Sequence, residues 1–482
     1  MLFVGVILRL RQYFAARSLW LDESMLALNI INRSYAELLE PLDYAQAAPL
    51  LFLWIEKTFM FLGGTGENVL RFFPLFSSLA ALFLFPLVAR KYMSRRGTLF
   101  ALAFFVLSSS LIYFSSELKQ YASDVFAIIL GLYILSFVIE NKLTNWEFLL
   151  IILGGCFLLA LSHPSVFVLA SNCAIFLYVY KRSRSKIELL KVFFIAAGWG
   201  LTFLLLYFIS LANIAYNPVL SAFWRGAYPP AAAEPWQILV WFGQRVLAFI
   251  KDPGHLSFVT LVVPFTILGI GSFIKRNVIL SLSLILPVLL TLTATALYQY
   301  PFSGRLLLFL TPILFLFLGE GIDALFRIKI KMVSWGVGFI AFLLILYHPM
   351  METATAFLTP PMGENIEPAI QYIADNWREG DQVYIYYSSK HPFEYYQDRF
   401  SFADHALFWG TGNRNDWPQY LGELEIIPDG NGRLWLLFSH VYARDNKTEE
   451  AYIIDELVQS KFQKIDEIHE ENAAAYLLEL KN

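Results

Sequence analysis

"VLRFFPLFSSLAALFLFPLVARKYMSRRGTLFALAFFVLSSSLIYF" runs from Val69 to Phe114, and its reading decides the fold class. Two apolar runs, 69–89 and 98–114, flank a basic turn made of Arg90, Lys91, Arg95 and Arg96. A helix needs roughly 20 mostly apolar residues to cross a bilayer, and both runs come close. Lys and Arg accumulate on the cytoplasmic side of a membrane, so the stretch reads as two spanning helices with their turn inside.

The rest of the chain repeats this pattern. Of 482 residues, 57% are hydrophobic and 16% charged, against about a quarter charged in soluble domains. Mean hydropathy is +0.55. Three more basic clusters, "KRSRSK" at 181–186, Lys275-Arg276 and 327–331, fall between apolar runs. Placing all four inside threads the chain inward at 69–89, 122–139, 165–180, 256–274 and 306–318. It returns outward at 98–114, 146–161, 188–211, 278–297 and 332–347. Residues 1–8 are apolar, but Arg9 and Arg11 follow at once, so this piece is too short to span alone. It has neither a basic leader nor a small-residue cleavage site, which argues against a signal peptide and for part of a longer first helix. The expectation is about eleven transmembrane helices in a membrane domain, 1–351.

Two long segments then lie outside. Residues 15–68 form the first external loop, and its apolar piece 49–62 is too short to span and reads as an interfacial or re-entrant helix. The second, 212–255, carries "FWRGAYPPAAAEPW", whose Trp and Tyr suit the headgroup layer. From Glu352 charge rises and apolar runs shorten. "IEPAIQYIADNW" and "EEAYIIDELVQ" have helical periodicity, while "QVYIYYSS" and "RLWLLFSHV" read as strands. The expectation is a soluble extracytoplasmic α/β domain, 352–482, on a polytopic α-helical protein of the cell membrane. The net charge of −3 does not point to nucleic acid, and Cys156 and Cys173 lie in apolar runs, so no disulfide framework is indicated.

Polar residues of interest gather at outer ends of the spans. "RSLWLDESMLALNI" at 17–30 brings Asp22 and Glu23, "SSELKQY" at 115–121 brings Glu117, Lys119 and Tyr121, and "YQYPFSGR" at 298–305 brings Tyr300 and Arg305. His163 stands at another outer end. Each has a structural reading too. Asp22 is a candidate N-cap for a helix starting near Ser24. Lys119 and Arg305 can extend their stems to the headgroups, and Tyr113 and Tyr121 suit an aromatic belt. His163 before Pro164 fits a core histidine. No H-x-x-x-H or similar spacing occurs among the seven histidines, so no cofactor or metal site is indicated, and dependence on a divalent metal is left open.

Four motifs in order, "LWLDES", "YAQAAPLLFLWIEKTFMFLGGTGENVLRFFPL", "SSELKQYASDVF" and "YPFSGRLLLFL", resemble the polyprenyl-phosphate-sugar-dependent glycosyltransferases of the GT-C class. The similarity is to the branch of protein O-mannosyltransferases and the lipid A aminoarabinose transferase (glycosyltransferase family 39), and covers about residues 17–325. It implies transfer of a sugar from a polyprenyl-phosphate carrier to an extracytoplasmic glycan, lipid or protein. Asp22 then matches the first-loop acid that acts as base, and Glu117 an acid of the second external loop. Where the family often has His or Lys with two prolines, this chain has Gln46 and a single Pro49.

The residue types suit that chemistry. A departing phosphate is already a stable anion and needs no general acid, so one carboxylate base suffices, unlike the carboxyl pair of a glycosidase. The outcome expected is inversion. Lys119 and Arg305, with Tyr121, Tyr300 and Gln46, are the candidate donor-phosphate residues, and Arg can bind phosphate in a fork. Asp22 and Glu23 are neighbours on a helix and cannot both reach one atom, so Glu23 is expected to support the acceptor side. Two other classes use similar parts. A lipid-linked-sugar transporter calls for charges near the midplane and repeated halves, whereas these acids lie at one face. An envelope glycan ligase or polymerase would rely more on external basic residues. Sugar, acceptor and oligomeric state are not legible.

Overall fold

The computed structural model describes residues 1–481 apart from 142, 184–185, 329–330, 401 and 428–431, and the side chains at 182, 183, 186, 331, 332 and 405 are also outside the description. Parts of the basic clusters at 181–186 and 327–331 therefore lie outside the described residues. The chain forms two compact units. One comprises Met1–Phe14 with Arg33–Pro360, the other Ala15–Asn32 with Pro361–Asn482.

The first unit is helical. Among the described residues seven helices are long and apolar enough to cross a membrane: Phe72–Tyr92, Tyr121–Glu140, Ile187–Ala215, Val259–Arg276, Val278–Ala296, Gly304–Leu325 and Val333–Leu358. An eighth is counted if the bent pair Arg95–Val106 and Ser109–Ser116 is one span. Shorter apolar helices, Asn145–Leu161 and Ser165–Lys181, occupy the two remaining expected spans. The stretch 98–114 differs from the straight span expected of it. It bends by 59°, because Ser108 interrupts it and its hydroxyl accepts a hydrogen bond from the Leu111 N–H, starting a new helix.

The first helix is longer than its apolar piece. Leu2–Tyr13 continues through Arg9 and Arg11 instead of stopping at Leu8. Arg9 is fully buried, donates to Ser78 Oγ at 2.8 Å and Gly5 O at 3.1 Å, and lies 5.7 Å from the Phe105 ring centre. The charge is taken up by protein, not lipid, so it does not end the helix.

Thr311–Leu325 is the central helix, buried at every position from Thr311 to Asp323. It crosses Val259–Arg276 at backbone distance: a Cβ on Gly321 would stand 1.9 Å from the Phe265 carbonyl oxygen, and one on Gly269 2.0 Å from that of Phe317. Small residues at such a crossing let two membrane helices approach closely. At its C-terminal end Glu320 and Asp323, both fully buried, receive three arginines. Arg96 bonds Asp323 at 2.5 Å, Arg276 lies 3.5 Å from Glu320, and Arg327 pairs with Glu320. Three of the four basic clusters thus converge on one end of the bundle. The Gly304–Leu325 helix separates them from Arg305 by about 30 Å at helical rise.

The second unit is built on a five-stranded mixed sheet in the order Leu407–Trp409, Gln382–Ile385, Arg433–Ser439, Ala473–Leu480, Phe462–Glu470. The first three strands are parallel neighbours and the last two join antiparallel. Arg433–Ser439 is buried throughout, as an apolar central strand should be. The helices Ile366–Asp375 and Glu449–Ser460 stand where the sequence pattern put them. The segment Ala15–Asn32, expected as part of an external loop of the membrane domain, packs into this unit, its helix Leu21–Asn32 against Lys390–Tyr396.

Candidate active site

Asp22 lies in the first turn of Leu21–Asn32, where a carboxylate favours the helix dipole. The helix begins at Leu21, not near Ser24, so Asp22 is not its N-cap. The capping acceptor comes from far along the chain: Glu364 Oε2 takes the Leu21 N–H at 3.1 Å. Asp22 is half-buried, whereas Glu23 is fully buried and faces Arg17 at 3.9 Å. The residues ahead of the helix are pinned as well. Ser18 Oγ donates to Asn365 at 2.9 Å and accepts from the Glu367 N–H, and the Leu19 N–H donates to the Tyr396 hydroxyl at 2.8 Å.

Glu364 has a second partner. Its Oε1 lies 2.5 Å from Nδ1 of His440, the residue that follows the Arg433–Ser439 strand at φ +50°. This hydrogen bond raises the His440 pKa above 6.5, with the charge of Asp22 adding to it and partial burial and Arg414 opposing. The His440 ring lies 6.4 Å from that of Trp20.

In the helical unit, Gln46, Lys119, Tyr121 and Arg305 are brought together. Lys119 is buried and its ammonium donates to Gln46 Oε1 at 2.5 Å. Two residues on, Tyr121 opens the Tyr121–Glu140 helix, and the Arg305 guanidinium lies 5.7 Å from its ring centre. Tyr300 braces this arrangement from the side. Its hydroxyl donates to the Leu306 carbonyl at 2.8 Å, and its ring meets Phe167 and Phe309 edge-on, holding the turn that carries Arg305. Glu117 is buried beside Lys119 and its carbonyl accepts the Lys119 N–H at 2.7 Å.

Beside Gln46 a pocket lies between the residues around Leu38–Leu53 and the end of the Ile187–Ala215 helix, lined by Leu38, Leu42, Leu53 and Ile214, with Glu40, Ser210, Asn213, Asn217 and Gln46 adding polar groups to its wall. A smaller hollow continues from Leu50 and Ser210 to Leu159, Phe203 and His163. Among the described residues no group of three or more His, Cys, Asp or Glu side chains stands close enough to hold a metal ion. Sequence reasoning missed Glu364, His440 and the pocket. The one signal available for His440 was a histidine directly after a strongly apolar strand.

No protein-family model matches the chain, and no curated protein matches it. Solved structures do. ArnT from Cupriavidus metallidurans bound to undecaprenyl phosphate matches with a TM-score of 0.54 at 11% identity, over 98% of this chain and 97% of that one. The same protein in the apo state gives 0.50 at 11%, over the same shares. The archaeal oligosaccharyltransferase AglB from Archaeoglobus fulgidus, in complex with an inhibitory peptide and a dolichol-phosphate, gives 0.53 at 10%, over 98% of this chain and 73% of that one. Both are GT-C proteins, the class that the four sequence motifs resemble. A helical membrane unit followed by a C-terminal sheet domain is the GT-C fold, and this chain has it.

Proposed function

We propose that this protein is a membrane glycosyltransferase that takes a sugar from a polyprenyl-phosphate carrier and places it on an extracytoplasmic acceptor. The observation that carries the reading is Gln46. Its amide oxygen holds the Lys119 ammonium, and its side chain stands in the wall of the pocket. A buried cation beside a pocket whose wall is mostly Leu, Ile, Ala and Pro, with a few polar groups, suits a hydrocarbon chain ending in phosphate. Arg305, packed over Tyr121 two residues from Lys119, supplies the planar fork that a phosphate can occupy. The solved structures of the same fold hold undecaprenyl phosphate and dolichol-phosphate.

Transfer needs one proton moved. Asp22 takes the proton of the acceptor hydroxyl or amine as that atom bonds to the anomeric carbon. The bond from the anomeric carbon to the phosphate oxygen breaks, and polyprenyl phosphate leaves with the electron pair. Attack opposite the leaving group inverts the centre. Glu23, paired with Arg17, holds the helix and leaves Asp22 as the reacting carboxylate. Glu117, buried next to Lys119, is the second carboxylate assigned to the site. Convergence of three arginine clusters about 30 Å from Arg305 supports an extracytoplasmic face for the donor residues. The test is transfer from a synthetic polyprenyl-phosphate sugar by purified enzyme. Retained transfer by a Lys119→Gln, Arg305→Gln double variant would remove the donor assignment.

A further inference from the structure

The C-terminal domain has no role in the chemistry described so far, yet it holds the backbone on which the proposed base sits. The three residues before Asp22 are each secured by a residue from beyond 360. The Leu19 N–H is taken by Tyr396, the Trp20 ring lies by His440, and the Leu21 N–H is taken by Glu364. Glu364 is the pivot, because its two oxygens serve two partners, the helix N–H and the His440 ring. It is also buried, so its plane is set by those partners and not by water.

We propose that Glu364 and His440 are positioning residues for Asp22, and that the C-terminal domain through them sets the orientation and charge of the base. This rests on the reading of Asp22 as the base. The imidazolium grips Glu364 Oε1 with a charge-assisted hydrogen bond, which fixes Oε2 on the first N–H of the Asp22 helix. Its positive charge also faces Asp22. Asp22 stabilises charged His440, and by reciprocity charged His440 stabilises ionised Asp22, the form a base requires. The charged groups acting on His440 are Glu364 and Asp22 on one side and Arg414 against them.

The sign of the pH dependence follows. His440 has its pKa raised above 6.5, so the grip is complete below that value and is lost as pH rises through the raised pKa. The turnover profile is therefore bell-shaped, with Asp22 on the acid limb and His440 on the alkaline limb.

The experiment is a pH profile of kcat and donor KM for the full-length enzyme and the variants His440→Gln, Glu364→Gln and Asp22→Asn. His440→Gln keeps a hydrogen-bond donor but no charge. It is expected to lower kcat roughly tenfold, the scale of lost outer-shell support, and to flatten the alkaline limb with donor KM unchanged. Glu364→Gln should do the same, and wild-type elution in detergent together with full stoichiometry of polyprenyl phosphate binding shows that both fold. Wild-type kcat and an intact alkaline limb in His440→Gln, with Asp22→Asn inactive, overturn the inference alone. Wild-type turnover in Asp22→Asn instead overturns the assignment of the base, and the inference with it.

Discussion

Lys119 donates its ammonium proton to the amide oxygen of Gln46 at 2.5 Å, and both side chains are buried. A neutral amide steadies the ammonium without cancelling its charge. Lys119→Gln should therefore lose a hydrogen bond to a charged group, worth about 1.5–3 kcal/mol, and lower kcat/KM roughly ten- to a hundredfold. Gln46→Leu should cost less, since the charge stays. Steady-state kinetics with varied donor checks both. Equal effects of the two changes would mean that the amide, not the charge, matters.

Arg305 combines a fork and a ring contact, its guanidinium 5.7 Å from the Tyr121 ring centre. Arg305→Lys keeps the charge but loses planarity and stacking, so it should raise donor KM several-fold, while Arg305→Ala goes much further. Titration of polyprenyl phosphate binding separates the two variants. Identical affinities for Lys and Ala would show that Arg305 does not meet the phosphate.

The pocket predicts chain-length selectivity. Asn213 is exposed on its rim, so a large residue there blocks the pocket without disturbing the interior. Asn213→Trp should weaken a long polyprenyl donor and spare a short-prenyl one. Competition between the two donors reads the effect directly. Equal losses on both would place the hydrocarbon elsewhere.

Glu320 and Asp323 predict where stability resides. Glu320 is fully buried while Arg276 and Arg327 are more than a third exposed, so the arginines left after its removal are partly solvated and the cost falls below the about 3–5 kcal/mol of a fully buried pair. Glu320→Ala leaves Arg276 and Arg327 without their shared carboxylate and should lower Tm in detergent clearly. Arg276→Ala should cost less, because Arg327 still serves Glu320. The reverse ranking would contradict the network.

Topology can be read by labelling. In a background with Cys156 and Cys173 replaced by Ala, a cysteine at exposed Asp455 should react with an impermeant thiol reagent on whole cells. One at exposed Lys275 should not. Reaction at Lys275 alone would invert the proposed orientation.

The spanning helices were legible because each needs only a local apolar run, and the basic clusters mark their ends. The burial of Arg9 in the first helix was not legible, because its partner Ser78 lies 69 residues away. The final hairpin was not legible for two local reasons. In Phe462–Glu470 a register irregularity between Lys464 and Asp466 breaks the alternation, so Phe462, Ile465 and Ile468 recur every third residue. In Ala473–Leu480 the run of Ala and Leu favours helix, and pairing with Arg433–Ser439 overrides it. Asp22 is proposed from its motif, but the Glu364 bridge spans 343 residues to Leu21 and 76 to His440, which no local pattern encodes.

The central claim is that Asp22 is the base, and one substitution tests it. Asp22→Asn keeps size and shape, and since Glu364, not Asp22, caps the Leu21 N–H, it should leave folding intact. Turnover of a polyprenyl-phosphate sugar should fall by roughly a hundredfold or more, with donor binding retained. Transfer at the wild-type rate by folded Asp22→Asn would contradict it.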